Sequence, residues 1–192
     1  MESEIESLFE ELVCGEDDRA ESAATKLAGF GEPLLPKMRL LLESDNPDVR
    51  WWVIRTLAQF ESPPPELLVH SLTDESQEVK QCAALAISHH PTNLAIRGLL
   101  TLLEDPDSVS SHLAAAALIS LGADALPFIF EKLSNLQGIP RVEAIRAIAC
   151  IADHRSIPIL MAALEEDSLA INYWAEEGLE RLGLGMVYMK AD

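Results

Sequence analysis

A helical pattern returns every 30 or 31 residues along this chain, and that periodicity constrains the fold more than any other feature of the sequence. Phe30, Phe60, His90, Leu121, Ile151 and Leu182 recur at intervals of 30, 30, 31, 30 and 31. Eleven residues before them stand Arg19, Val49, Val79, Ser110, Pro140 and Ile171. Offsets 4 and 5 from those anchors hold Ala23/Ala24, Val53/Ile54, Ala83/Ala84, Ala114/Ala115, Ala144/Ile145 and Ala175/Glu176, small or β-branched in eleven of twelve cases. Offset 8 is Leu27, Leu57, Ile87, Leu118, Ile148 and Leu179. Offsets of 0, 4, 8 and 11 trace one face of an α-helix. Small residues on that face let neighbouring helices approach closely.

A second apolar rhythm precedes each of these helices, as in Leu34-Leu35-Met38-Leu41-Leu42 or Ile96-Leu99-Leu100-Leu103. Each repeat is therefore a helix pair. Gly15, Pro47, Pro106 and Gly138 punctuate the turns inside repeats; Gly31, Pro63-Pro64-Pro65, Pro91 and Gly122 punctuate the joints between them. Asp48, Asp107 and Ser168 are placed to cap second helices. The expectation is an all-α chain of twelve helices forming a single domain. Its six repeats span about 1–31, 32–61, 62–91, 92–122, 123–152 and 153–185, followed by a tail at 186–192.

A 30-residue helix pair carrying DNPDVRWWVIRTLAQF in its second half resembles a HEAT repeat. It is similar to the short form found in bilin-lyase subunits and deoxyhypusine hydroxylase. The resemblance implies a right-handed α-solenoid, a superhelix of about six antiparallel pairs whose second helices line the concave side. The family's Asp-x-Val-Arg signature is complete only at Asp48, Val49 and Arg50, approximated at Glu78-Val79-Lys80, and reduced to Arg141 in the fifth repeat. Any acid–arginine ladder along the stack is expected to be partial. Deoxyhypusine hydroxylase binds iron through His-Glu pairs, and none of His70, His89, His90, His112 or His154 is followed by Glu, so that activity does not carry over.

Charge narrows the partners. The chain holds 32 Asp and Glu against 14 Lys and Arg, a formal −18, which argues against binding nucleic acid or an anionic membrane. No stretch reaches the length of a membrane span, because Gly122, Asp124 and Pro127 interrupt the most apolar one. Cys14, Cys82 and Cys150 are odd in number and do not form a disulfide framework. With no secretory leader in MESEIESLFEEL, the expected compartment is the cytoplasm.

One helix pair cannot bury its own apolar face, so stability must come from stacking. The second-helix positions pointing away from the stack form a row whose middle is unusually apolar. Trp51, Leu85, Ile119, Val142 and Tyr173, with His112 in the row and Arg55 and Arg146 alongside, are the candidate lining of a groove for a segment of another protein. A one-residue change of register would put the same side chains in the core. Trp52 is expected to pack against the next repeat; Trp174, with no next repeat, is expected to be covered by the tail 186–192 or by a second chain. Acids gather in the first 48 residues, which carry a net −9, and in the turns inside repeats. That edge is either a solvated, solubilising surface or a docking rail for a basic partner.

Converging catalytic groups are absent from the pattern. There is no phosphate loop, nucleophile elbow, Cys-x-x-Cys or His-x-x-x-His, and the acidic turns lack the spacing of a calcium loop. The expected function is a non-catalytic scaffold or adaptor, monomeric and without cofactor or metal, that binds another protein. The alternative is an accessory subunit of a modifying enzyme, bilin-lyase-like or otherwise.

Overall fold

A computed structural model of the chain describes residues 2–184. Twelve α-helices alternate in length with the repeat: α1 (Glu2–Leu12), α2 (Asp17–Ala28), α3 (Leu35–Leu42), α4 (Pro47–Leu57), α5 (Pro65–Ser71), α6 (Gln77–His89), α7 (Ile96–Leu103), α8 (Ser108–Leu121), α9 (Leu126–Leu133), α10 (Gly138–Ile151), α11 (Ile157–Ala163) and α12 (Leu169–Arg181). No strand occurs among the described residues. These residues fall into two compact units that part between Leu94 and Ala95. In the first, α1 packs on α2, α3 on α4 and α5 on α6, while α2, α4 and α6 stack in series. The second repeats the scheme, with α8, α10 and α12 in series and α7, α9 and α11 as their partners.

The small residues of the repeat do what close packing demands. All eleven small or β-branched residues at offsets 4 and 5 are buried, as are Leu27, Leu57, Ile87, Leu118, Ile148 and Leu179 at offset 8. Burying each of these leucines and isoleucines contributes about 1.5–3 kcal/mol. The exception, Glu176, is exposed. His90, the single polar residue in the series of closing side chains, brings a ring nitrogen within 3.0 Å of the Ala58 carbonyl. It thereby links the third repeat to the second.

The caps require one correction. Asp107 and Ser168 cap α8 and α12, accepting from the backbone N–H of Ser110 at 2.8 Å and of Ile171 at 3.5 Å. Asp48 does not cap α4. Asn46 does, accepting from the Asp48 N–H at 2.9 Å, because Pro47 takes the first helical position, where its missing N–H costs nothing. Ser76, which the periodicity did not single out, caps α6. Positive φ follows three of the second helices: Gly31 and Gly122 take 66° and 64° with ψ of −140° and −142°, whereas Ala152 is left-handed at φ 52° and ψ 45° although it carries a Cβ.

Arginine and acid form a clamp once in each unit. Arg50 grips Asp74 through two bonds, Nε to Oδ2 at 2.8 Å and Nη2 to Oδ1 at 2.7 Å, and donates to the Ser44 carbonyl at 2.6 Å. Arg141 grips Glu166 in the same way, at 2.7 and 2.5 Å, and donates to the Leu133 carbonyl at 2.6 Å. Each arginine stands near the start of a second helix and its acid lies in the inner turn of the following repeat. Arg50 and Arg141 are thus two rungs of the ladder, and two of the acidic turns are occupied in holding repeats together.

Candidate binding face on the second helices

The outward row is divided between the two units. In the first, α4 presents Trp51 and Arg55, half-buried, and α6 presents Leu85, which is 48% exposed. In the second, α8 carries His112, exposed, and Ile119, half-buried; α10 carries Val142 and Arg146, both half-buried; α12 carries Tyr173, which is 58% exposed. None of the eight lies in the core. Trp52 does: it is buried, with its ring edge-on to Trp51 at a centroid distance of 4.8 Å. Tyr173 and Trp174 form a similar edge contact at 5.1 Å. The tail expected to cover Trp174, residues 186–192, lies outside the described residues.

Neighbouring second helices meet at an offset of one repeat plus one helical turn. Arg55 Nη2 donates to Glu21 Oε1 at 2.7 Å, and Arg146 Nη2 donates to the His112 carbonyl at 3.1 Å, both across 34 residues. The same offset relates Trp51 to Leu85. Trp51 and Leu85 therefore stand where Glu21 and Arg55 stand one repeat earlier in the first unit.

Both arginines of the row are already engaged. Arg55 is held by Glu21, and Arg146 Nε donates to Glu143 Oε2 at 2.6 Å, while His112 Nδ1 lies 3.3 Å from the other oxygen of the same carboxylate. Glu143 belongs to this face although the outward row does not include it. Its i, i+3 spacing to Arg146 is the signal in the sequence that marks it. A ligand meeting this face in the second unit finds a paired His–Glu–Arg cluster with apolar Ile119 and Val142 on the same helices, and no free cation in that cluster.

Beneath the face of the first unit lies Cys82. Burial pushes its thiol up to about 12, against a smaller opposing pull from Arg55. Cys14 is exposed. In a C150S variant at pH 8, a thiol reagent should label the exposed Cys14 rapidly and the buried Cys82 far more slowly, since the reagent must reach the sulfur and the thiolate is the reactive form. Equal labelling rates in the folded protein would show that Cys82 is not sealed under this face.

Among the described residues, no group of three or more His, Cys, Asp or Glu side chains converges to hold a metal ion, and no helix is long and apolar enough to cross a membrane. What each unit offers is a set of apolar side chains on the surface of its second helices, beside charges already paired within the chain.

Similarity to known proteins follows the same architecture. Residues 5–88 match the model of HEAT repeats and residues 140–166 that of the PBS lyase HEAT-like repeat. Over 118 residues, 61% of this chain, the sequence is 31% identical to a phycobilisome maturation protein of Synechococcus elongatus. The match covers 57% of that relative, so this chain spans little more than half its length. Over 149 residues it is 22% identical to an uncharacterised phycocyanin operon protein Z of Pseudanabaena tenuis, covering 72% of this chain and 74% of that one. Among solved structures, a designed armadillo repeat protein in complex with the peptide (KR)4 superposes with a TM-score of 0.56 at 19% identity, over 92% of this chain and 98% of the other. That likeness is one of fold, an α-helical repeat solenoid. The 30-residue period, the stacked second helices and both repeat matches agree on one architecture: the described residues build a HEAT-like helical repeat fold, similar at residues 140–166 to the PBS lyase repeat.

Proposed function

We propose that this protein is a non-catalytic repeat scaffold in phycobilisome biogenesis, holding a segment of a partner protein against its second-helix face. The observation that carries the binding half of this reading is the surface position of Leu85 and Tyr173, large apolar side chains left at 48% and 58% exposure on the helices that stack. Exposed apolar groups set in a row rimmed by polar ones mark interaction surfaces. The phycobilisome half rests on the names of the two relatives. A reducing, cytoplasmic setting is consistent with three free cysteines.

The direct test is binding of purified phycobiliprotein subunits, followed by size-exclusion chromatography and calorimetry, with Leu85→Glu and Ile119→Glu as variants. Both variants should keep their helical circular dichroism and lose affinity by about tenfold or more, the range of hot-spot residues. A wild-type protein that binds no phycobiliprotein subunit, free or during assembly, overturns the reading.

A second reading, an accessory subunit for bilin attachment, is favoured by the PBS lyase HEAT-like match at residues 140–166. Incubation with a phycobiliprotein subunit and free bilin separates the two. Under the scaffold reading the protein leaves the rate of covalent pigment attachment unchanged; an accelerated attachment favours the accessory subunit.

A further inference from the structure

The first unit contains a cleft of about 760 Å³ that borders the second-helix face at Trp51, where the end of α1 meets the starts of α2, α4 and α6. Its volume lies within the range of small-ligand sites. Leu12, Val13 and Trp51 form apolar wall, and Asp17, Asp48 and Glu78 stand around it; no Lys, Arg or His is among the lining residues. Val13 is 39% exposed, unusual for a branched apolar side chain at the end of a packed helix, and it faces this cleft. The Trp51 ring is braced edge-on by Trp52. Among the described residues, neither Asp17 nor Asp48 forms an ion pair, and Glu78 is held by neutral donors alone, its own backbone N–H and the Ser76 hydroxyl at 2.8 Å.

The acids alone have a local explanation, since each lies in the first turn of a helix, where negative charge is favoured. An apolar wall with a braced indole has no such explanation. Indole and carboxylates together share one ligand chemistry. A guanidinium laid on an indole face gains from the ring's quadrupole while its N–H groups reach carboxylates, and the aliphatic stem of arginine covers apolar wall. A lysine ammonium makes the same contacts without the planar fork.

We propose that this cleft receives an arginine side chain from an extended basic segment of a partner protein. The site goes beyond the phycobilisome reading and does not depend on it, because the cleft shares only Trp51 with the second-helix face. A partner could be held by Leu85 with the cleft empty, and the cleft could take a basic segment from a protein of another pathway.

The test uses the full chain and a blocked peptide, Gly-Arg-Gly-Arg-Gly, with its citrulline analogue as the neutral isostere, titrated calorimetrically at low and moderate salt. Because any cation is drawn to a chain of net charge −18, two triple variants of equal charge change are compared. Asp17→Asn/Asp48→Asn/Glu78→Gln removes the cleft carboxylates; Glu10→Gln/Glu32→Gln/Glu61→Gln removes three exposed acids of the same unit outside it. The cleft triple should weaken arginine-peptide binding by about tenfold or more, and the control triple by less than about twofold. Trp51→Phe, which keeps the wall but weakens the cation–aromatic contact, should cost about threefold. Equal weakening by the two triples, or binding of the citrulline peptide as tight as that of the arginine peptide, overturns the proposal. Retention of phycobiliprotein binding by the cleft triple separates this site from the second-helix face.

Discussion

Replacing Gly178 by valine is expected to destabilise the second unit by about 3 kcal/mol, and replacing it by alanine by about 1–2 kcal/mol. Gly178 lies on α12 where it crosses α10, and a Cβ built there would come within 2.8 Å of the Ala149 Cβ, 2.9 Å of the Ala149 Cα and 2.9 Å of the Leu160 Cδ1. Leu160 can rotate a methyl away. The Ala149 Cα is backbone and can move only if α10 moves. Against this stands the intrinsic gain of about 1 kcal/mol when glycine becomes alanine inside a helix. The two effects have opposite sign, so the measurement is decisive: thermal unfolding of Gly178→Ala should fall by several degrees, on the scale of about 2–4 °C per kcal/mol for a chain of this size. A rise in melting temperature would mean that helix propensity wins and that the crossing is looser than 2.9 Å. Ala149→Gly in the same chain should recover part of the loss, since it removes the clash with the Ala149 methyl and leaves the close approach to the α10 backbone. A coupling of about 1 kcal/mol in the double-mutant cycle is expected.

Gly178 also marks the boundary of what was legible in the sequence. Seven residues past each anchor from the second repeat onward stand Thr56, Ala86, Ala117, Ala147 and Gly178, all buried. The series reads as a seam of small residues, and from periodicity alone the glycine is simply its smallest member. That its hydrogen touches a neighbouring backbone depends on the crossing distance of two helices, which no single-chain pattern contains. The helix pairs themselves were legible because stacking forces one face of every second helix to be small and apolar, and that requirement repeats six times.

Electrostatic partners were less legible than helices, for a related reason. Within a helix the i, i+3 and i, i+4 rules pair Arg146 with Glu143 and Arg181 with Glu177. Across the stack the governing offset is the repeat length plus about one turn, as in Glu21 with Arg55. That offset can be written down only when the relative rotation of adjacent helices is known. The sequence pattern places Arg55 and Arg146 on the correct face but presents them as free cations flanking a groove. The cation count of the face is therefore overestimated from sequence, while the apolar row, which depends only on which side of a helix a residue occupies, lies outside the core.

Arg50→Ala should lower the stability of the first unit by about 2 kcal/mol, more than Arg141→Ala lowers that of the second. Single charges left without their partner cost about 3–5 kcal/mol when buried and under about 1 kcal/mol when exposed. The side chains of Arg50 and Asp74 retain 13% and 12% of their exposure, against 24% and 27% for Arg141 and Glu166, which sets the order of the two effects. Arg50→Lys should recover less than half of the loss, because an ammonium cannot reproduce the two-point grip on Asp74 while also reaching the Ser44 carbonyl. The clamp also has a pH signature. Burial pushes the Asp74 carboxyl up, but the hydrogen bond from Arg50 and the Ser76 backbone N–H outweigh it, and the group is held below its ordinary value. A carboxyl with a depressed folded pKa binds its proton first in the unfolded chain. Its stabilisation is therefore complete above the unfolded pKa of about 3.9 and is lost as pH falls through the lower folded value. Protonation of the many other acids changes the stability of wild type and variant alike, so the informative quantity is their difference in urea-unfolding free energy. From pH 8 to 5 that difference should stay constant; below about pH 4 it should shrink, as Asp74 takes up its proton and the clamp that Arg50→Ala had already removed is released in the wild type as well. A difference that persists unchanged to pH 3 would mean that Arg50 acts through its aliphatic stem and its bond to the Ser44 carbonyl, with the carboxylate of Asp74 contributing nothing to the joint between the second and third repeats.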